Sequence, residues 1–373
     1  MRRATRQQAV PAGSQEDARM VDSAKLVGFL ERGVVTALGK APAGVQRLVG
    51  GHPPLSDGVP IEPEVGAALR LLSLVPGASF EDLPLDQARA QIEHDAAVFG
   101  GRPIPMEQIR DLVIPTRQGD LPARLYRAQA RDADRLVVYF HGGGWVVGSL
   151  ASADSACRFL ARHAGVSVLS VEYRLAPEHR FPAAPDDALA AFRFAVARAD
   201  DWGHDPESIA VAGDSAGANL AAVLCQDLRT ADEVRPAFQL LFFPVTDLSV
   251  KRPSYLAFAE GFFLTEKQMD WYRTHYLGTH PATDPRVSPL LAPDLAGLPP
   301  AYIAVPGFDV LRDEGEAYAR RLAAAGVRVG LRRHERLIHA FVNSTGVGTS
   351  SREAFLEACG ALRAGIGAGT APR

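Results

Sequence analysis

An α/β fold, with a mostly parallel central sheet flanked by helices, is the architecture this sequence predicts, and three observations carry it. Short apolar runs alternate with helical patterns between residues 136 and 332. Gly213-Asp214-Ser215-Ala216-Gly217 stands where one such run meets an alanine-rich stretch. Three glycines, an aspartate and a histidine follow other runs at their ends. Alternation of this kind favours a parallel sheet, because parallel strands need a crossover that a helix supplies.

In chain order, residues 22–49 carry Leu26, Phe29, Leu30, Val34, Ala37 and Leu38 at three- and four-residue steps, one face of a helix. Lys25, Arg32 and Lys40 make that segment amphipathic, but its basic content is thin, so packing on a cap is preferred to membrane contact. Residues 62–99 hold two more helical stretches, separated from the first block by Pro53-Pro54 and closed by Gly100-Gly101. Residues 112–114 and 121–126 read as a hairpin around Gly119-Asp120. Strands are then expected at 136–140, 166–171, 209–212, 238–243, 300–305 and 327–332, with a helix over 313–325 stopped by Gly326. Residues 246–298 concentrate aromatics around Thr265, which fits a helix N-cap. Four segments follow: an N-terminal extension with cap helices (1–105), a first core part (106–245), a cap insertion (246–298) and a second core part (299–373).

The serine motif points to chemistry. A Gly-x-Ser-x-Gly turn between strand and helix places the hydroxyl of Ser215 on a sharp corner, with a helix N-terminus behind it. Upstream, 136–140 runs into His141-Gly142-Gly143-Gly144-Trp145. Three consecutive glycines are costly in conformational entropy and make sense where bare backbone N–H groups approach a ligand. An oxyanion needs such donors at about 3 Å. Downstream, Asp309 follows one strand and His339 the next, so the chain order is Ser, Asp, His. A serine needs an imidazole to take its proton, and the imidazole needs a carboxylate to fix its tautomer. Asp313 and Glu314 rival Asp309 but sit in the first turn of a helix, and His334 rivals His339 but sits on or just after the last strand.

These motifs resemble the hormone-sensitive-lipase family of α/β-hydrolases, in its bacterial esterase branch. The resemblance runs over roughly residues 110–345 through His141–Trp145, Tyr173-Arg-Leu-Ala-Pro-Glu-His179, Phe181-Pro-Ala-Ala-Pro-Asp186, Gly213–Gly217, Leu311–Tyr318 and Ile338-His339. It implies an α/β-hydrolase fold with a helical cap, Ser215 as nucleophile, Asp309 as acid and His339 as base. It maps the oxyanion donors onto Gly143, Gly144 and Ala216. It makes His141 a brace for the glycine loop and puts Arg174 and Glu178 in a buried ionic network. Val310 stands where the family usually has proline, and Arg336 and Ala340 stand where it has glycine in the histidine loop. These departures bear on loop geometry and access, since no catalytic atom is lost. Trp145, Phe258, Phe262 and Phe263 are the candidate pocket residues.

The function expected is a serine carboxylic ester hydrolase for short- to medium-chain acyl esters. The alternatives are a non-catalytic ligand-binding protein on the same fold, against which His339 argues, and an amide hydrolase. The 373 residues suffice for one hydrolase domain with an elaborated cap. A net charge of −3 gives no basic patch for nucleic acid. Cys157, Cys225 and Cys359 are widely spaced, with no metal-binding pattern and no cofactor motif. No apolar leader and no stretch of about 20 apolar residues appears, so a cytoplasmic protein without stable membrane insertion is expected. Its partner is a small-molecule ester, a homodimer is left open, and residues 1–18 and 364–373 read as frayed ends.

Overall fold

In the computed structural model the described residues are 31–74, 79–129 and 135–367. An eight-stranded sheet runs through them: β1 (Gln108–Thr116), β2 (Gly119–Arg127), β3 (Leu136–Phe140), β4 (Ser167–Val171), β5 (Ala210–Asp214), β6 (Gln239–Phe242), β7 (Ala301–Phe308) and β8 (Val329–Ile338). Their spatial order is β1-β2-β4-β3-β5-β6-β7-β8. β2 pairs antiparallel with both β1 and β4, and every other pairing is parallel. β3 to β7 are buried at every position, as strands covered on both faces must be, whereas β1 at the edge is mostly exposed.

The helices are α1 (Ala43–Gly50), α2 (Pro63–Leu72), α3 (Leu85–Phe99), α4 (Asp154–Ala164), α5 (Ala183–Arg198), α6 (Ala216–Asp227), α7 (Pro253–Ala257), α8 (Glu266–Leu277), α9 (Arg312–Ala324) and α10 (Ser350–Gly367). Residues 31–40 are also helical. The single amphipathic helix expected over 22–49 is therefore two, broken at Ala41-Pro42; Lys25, Leu26, Phe29 and Leu30 lie outside the described residues. A proline has no N–H to continue a helix but suits its start, as at the N-terminus of α1. α4 packs against α10, and α5 against α6. α6 is alanine-rich and buried from Ala216 to Cys225, so its backbone lies close to the sheet. Of the C-terminal stretch 364–373 expected to fray, residues 364–367 belong to α10, and 368–373, like 1–18, lie outside the described residues.

Residues 55–64 tie the N-terminal segment to the far end of the chain. The Ser56 hydroxyl donates to Gly307 O at 3.1 Å. The Glu62 N–H donates to Arg336 O at 2.9 Å, and the Glu62 carboxylate pairs with the Arg336 guanidinium at 2.8 Å. The buried Glu64 carboxylate accepts from the N–H groups of Thr349 (3.2 Å) and Ser350 (2.8 Å). It thus caps α10, whose first N–H groups have no partner inside the helix. All three cysteines are free and buried.

Candidate active site

Each candidate catalytic residue stands just past the C-terminal end of a parallel strand, where side chains from several strands converge. Gly142–Gly144 follow β3, Ser215 follows β5, Asp309 follows β7 and His339 follows β8. Ser215 is buried, with φ 56° and ψ −116°. A non-glycine residue held there costs about 1–3 kcal/mol, so the surrounding structure must impose it. Two contacts do so: the Ser215 N–H donates to Phe242 O at 2.9 Å, and its carbonyl accepts from Asn219 N–H at 3.0 Å. A Cβ on Gly217 would overlap the carbonyl of Phe140, and one on Gly213 would overlap Gly217. Both motif glycines are thus set by close backbone approach.

Asp309 and His339 meet through a register shift. Val329 pairs with Ala301 and His334 with Pro306, an offset of 28, but Ile338 pairs with Phe308, an offset of 30. The bulge brings His339 level with Asp309, and Nδ1 of His339 lies 2.8 Å from Oδ2 of Asp309. Oδ1 of Asp309 accepts from the Leu311 N–H at 3.0 Å, which fixes the carboxylate. The contact leaves Nε2 as the imidazole nitrogen for proton exchange. Arg336, which replaces a family glycine, lies within the bulge, where Glu62 holds it by backbone and side chain. Ala340, the other replacement, takes φ 63°, the left-handed conformation a glycine would adopt more cheaply. Val310 is buried, and its carbonyl accepts from the Ser254 hydroxyl at 2.6 Å.

Gly143 and Gly144 have φ of 109° and 58°. A Cβ on Gly144 would overlap the Tyr272 ring. Among the described residues, the N–H groups of Gly143 and Gly144 donate to no backbone acceptor, and that of Ala216 opens α6. Asp214 holds this loop to its neighbours. Its Oδ1 accepts from Tyr139 Oη–H (2.6 Å) and Gly142 N–H (3.1 Å), and its Oδ2 from Asn343 Nδ2–H (3.2 Å). One carboxylate therefore joins the serine turn, the glycine loop and the turn after His339. Burial raises its pKa, against the pull of those hydrogen bonds. Asp214 stands in the serine motif with no role legible from the sequence, and Asn343 stands in no motif; the available signal is an aspartate at the end of a buried strand.

His141 is buried, stacks on Tyr173 at 4.3 Å and directs Nδ1 at the Gly142 carbonyl 2.7 Å away. Burial lowers its pKa to about 4, so it is neutral at neutral pH. His334 sits within β8 against Phe341, its pKa also lowered to about 4 by burial. Asp313 accepts from Ser254 N–H, and the buried Glu314 accepts from Thr246 and Asp247 N–H. Burial pushes Glu314 up to about 8. Both acids brace the 246–254 segment.

A cavity holds Ser215, His339 and the glycine loop, and its far wall comes from α3, Phe80 and α8. Of the four aromatics expected to line it, Phe263 does so. Trp145 does not: its ring is buried in a stack on Tyr276, centroids 4.1 Å apart. Phe258 and Phe262 pack on each other and on Phe308, with the Arg312 guanidinium over Phe258. Those rings pack on Tyr276 of α8 and on Phe308 of β7 instead of lining the cavity; Phe80 and Tyr272 line it. The buried network expected of Arg174 and Glu178 is instead two separate pairs. Arg174 binds the buried Asp187, and Glu178 binds Arg89 at the surface.

The two covering segments meet. Lys267 of α8 pairs with Asp82 at 2.8 Å and Glu81 at 3.2 Å, and Phe80 packs edge-on against Trp271. The Thr265 N-cap is present as a full capping box with Gln268. Among the described residues, no cluster of three His, Cys, Asp or Glu could hold a metal, and no helix is long and apolar enough to cross a membrane.

Comparison with known proteins returns one answer. A family model described as the alpha/beta hydrolase fold matches residues 137–343. Carboxylic ester hydrolase LipN of Mycobacterium tuberculosis is 46% identical over 291 residues, 75% of this chain and 77% of that protein. Ethyl acetate hydrolase of Pseudomonas putida is 42% identical over 282 residues, 73% of this chain and 88% of that protein. A solved ester hydrolase from the metagenome of Lake Arreo superposes with a TM-score of 0.79 at 38% identity, covering 82% of this chain and 99% of that one.

Proposed function

The chain belongs to the hormone-sensitive-lipase-like family of α/β-hydrolases, and from that membership we propose that it hydrolyses small carboxylic esters of short to medium acyl chain through a covalent acyl-enzyme. The observation that carries the reading is a strained, buried Ser215 sharing one cavity with a His339 whose Nδ1 is held 2.8 Å from Asp309. Related proteins named as ester hydrolases support it.

Ser215 Oγ attacks the ester carbonyl carbon as His339 Nε2 takes its proton. Asp309 keeps the Nδ1–H oriented and stabilises the imidazolium. The negative oxygen is received by the N–H groups of Gly143, Gly144 and Ala216, in the manner of preorganised backbone donors. His339 returns the proton to the departing alcohol. Water, deprotonated by the same nitrogen, then releases the acid and regenerates the serine. The covering segments, 246–298 and the part of 1–105 that reaches the cavity, act as the cap that shields these steps from bulk water.

Ser215→Ala tests the assignment. On a panel of acetate, butyrate and hexanoate esters, kcat is expected to fall by at least about 10⁴-fold with the fold intact by circular dichroism. Retained turnover would move the nucleophile elsewhere. A wild type that binds these esters without turning them over would favour the ligand-binding reading.

A further inference from the structure

We propose that Asp95 selects among ester substrates: it favours those carrying a hydrogen-bond donor, a hydroxyl or an ammonium, away from the scissile bond, and it disfavours those carrying a carboxylate there. The inference rests on the ester-hydrolase reading above and names the substrate class for that same site.

α3 turns one face to the cavity, with Gln91, Ile92, Asp95, Ala96 and Phe99 lining it at helical spacing. Most of the opposing wall is apolar: Phe80, Phe263, Leu264 and Tyr272. Asp95 is half-buried in that wall, so its carboxylate keeps part of its hydration until a substrate displaces it. Oδ1 of Asp95 accepts from Gln91 Nε2–H at 2.8 Å, one turn earlier. Oδ2 has no hydrogen-bond partner among the described residues. Burial holds the carboxyl above its usual pKa.

The neighbouring His94 and Glu31 pair with each other at 2.7 Å and lie outside the cavity lining. No lysine or arginine lines the cavity among the described residues. The remaining acid there, Asp214, takes three donors of its own, and His339 is engaged by Asp309. The wall therefore presents one carboxylate oxygen free to accept from a substrate, and no lysine or arginine among the described lining residues to receive an anion. A donor on the substrate would replace the water that Oδ2 gives up, whereas a carboxylate would be desolvated beside a like charge.

The helix is also held firmly enough to discriminate. Arg89 donates to the carbonyls of Val146 (3.0 Å) and Ala176 (3.1 Å) and binds Glu178 through two nitrogens. Glu93 accepts from the Ser149 hydroxyl at 2.7 Å. α3 is thus pinned to the segment that follows the oxyanion loop, so the Asp95 side chain keeps its place relative to the reacting carbonyl.

The test compares ethyl hexanoate with its ω-hydroxy, ω-ammonium and ω-carboxylate analogues, and hexyl acetate with the same three end groups, so that both sides of the ester are sampled. In wild type, kcat/KM for the better donor-bearing analogue should exceed that for the carboxylate analogue by at least about tenfold, near 1.4 kcal/mol. In Asp95→Asn that ratio, measured within one preparation, should shrink by about tenfold. The same ratio in both proteins would overturn the inference. Loss of all turnover in Ser215→Ala, alongside unchanged Asp95→Asn ratios, would sink this inference and leave the ester-hydrolase reading standing. Should Asp95→Asn fail to fold, competitive inhibition of wild type by hexylamine, hexanol and hexanoate decides. Equal inhibition by all three overturns the proposal, and weak inhibition by the acid alone supports it.

Discussion

The two sides of the cavity are built in different ways. On the body side, Ser215, Asp309 and His339 sit at strand ends, and their positions follow from backbone pairing in a buried parallel sheet. On the cap side, Phe80, α3 and α8 are held by side chains, several of them in exposed ion pairs such as Lys267 with Asp82. Backbone pairing is cooperative and hard to perturb one residue at a time. Exposed ion pairs contribute about 0–1 kcal/mol each. The body should therefore set whether the reaction runs, and the cap which molecules reach it.

That contrast can be broken from either side. The largest effect belongs to Asp309→Asn, where an amide beside Nδ1 favours the wrong imidazole tautomer. Steady-state kinetics should show kcat reduced by about 10³–10⁴-fold with KM nearly constant. A loss below tenfold would mean that a rival acid orients His339. A smaller effect is expected from Asp214→Asn. The carboxylate serves three donors with two oxygens, and an amide would turn an N–H toward at least one of them. We expect kcat lower by about 10–100-fold with KM within threefold, since the glycine loop and the turn after His339 lose alignment together. A change confined to KM would show that Asp214 serves binding. The smallest effect should come from Lys267→Ala, which removes the ion pairs between the two cap segments and leaves Phe80 packed on Trp271: KM within about threefold, kcat unchanged and a melting temperature lowered by no more than about 2 °C. A collapse of kcat there would erase the distinction between body and cap.

The same division marks what could be read from the sequence. The strands, the serine turn and the order Ser, Asp, His are legible because each needs particular residue types at particular places: glycines where backbones touch, apolar runs where both faces are covered. The bulge in β8 was not legible. Nothing in Glu335-Arg336-Leu337 announces the register shift, which depends on what the neighbouring strand and Glu62 impose. Pocket aromatics were equally opaque. Proximity to the glycine loop suggested Trp145, but its ring direction is set by a partner more than a hundred residues away, Tyr276. Asp95 has no motif around it at all; only the fold of α3 over the site gives it meaning.

The clasp made by Glu64 has a consequence for how the molecule comes into being. The carboxylate that completes α10 leaves the ribosome 286 residues ahead of the Ser350 amide that it will meet. During synthesis the early segment must wait, with that acid in water, while the whole sheet is laid down between them. The start of α10 is then closed by a residue made before any strand of the eight-stranded sheet. A change at Glu64 is therefore felt at the start of a helix 286 residues away, and two segments remote in sequence stand or fall as one seam.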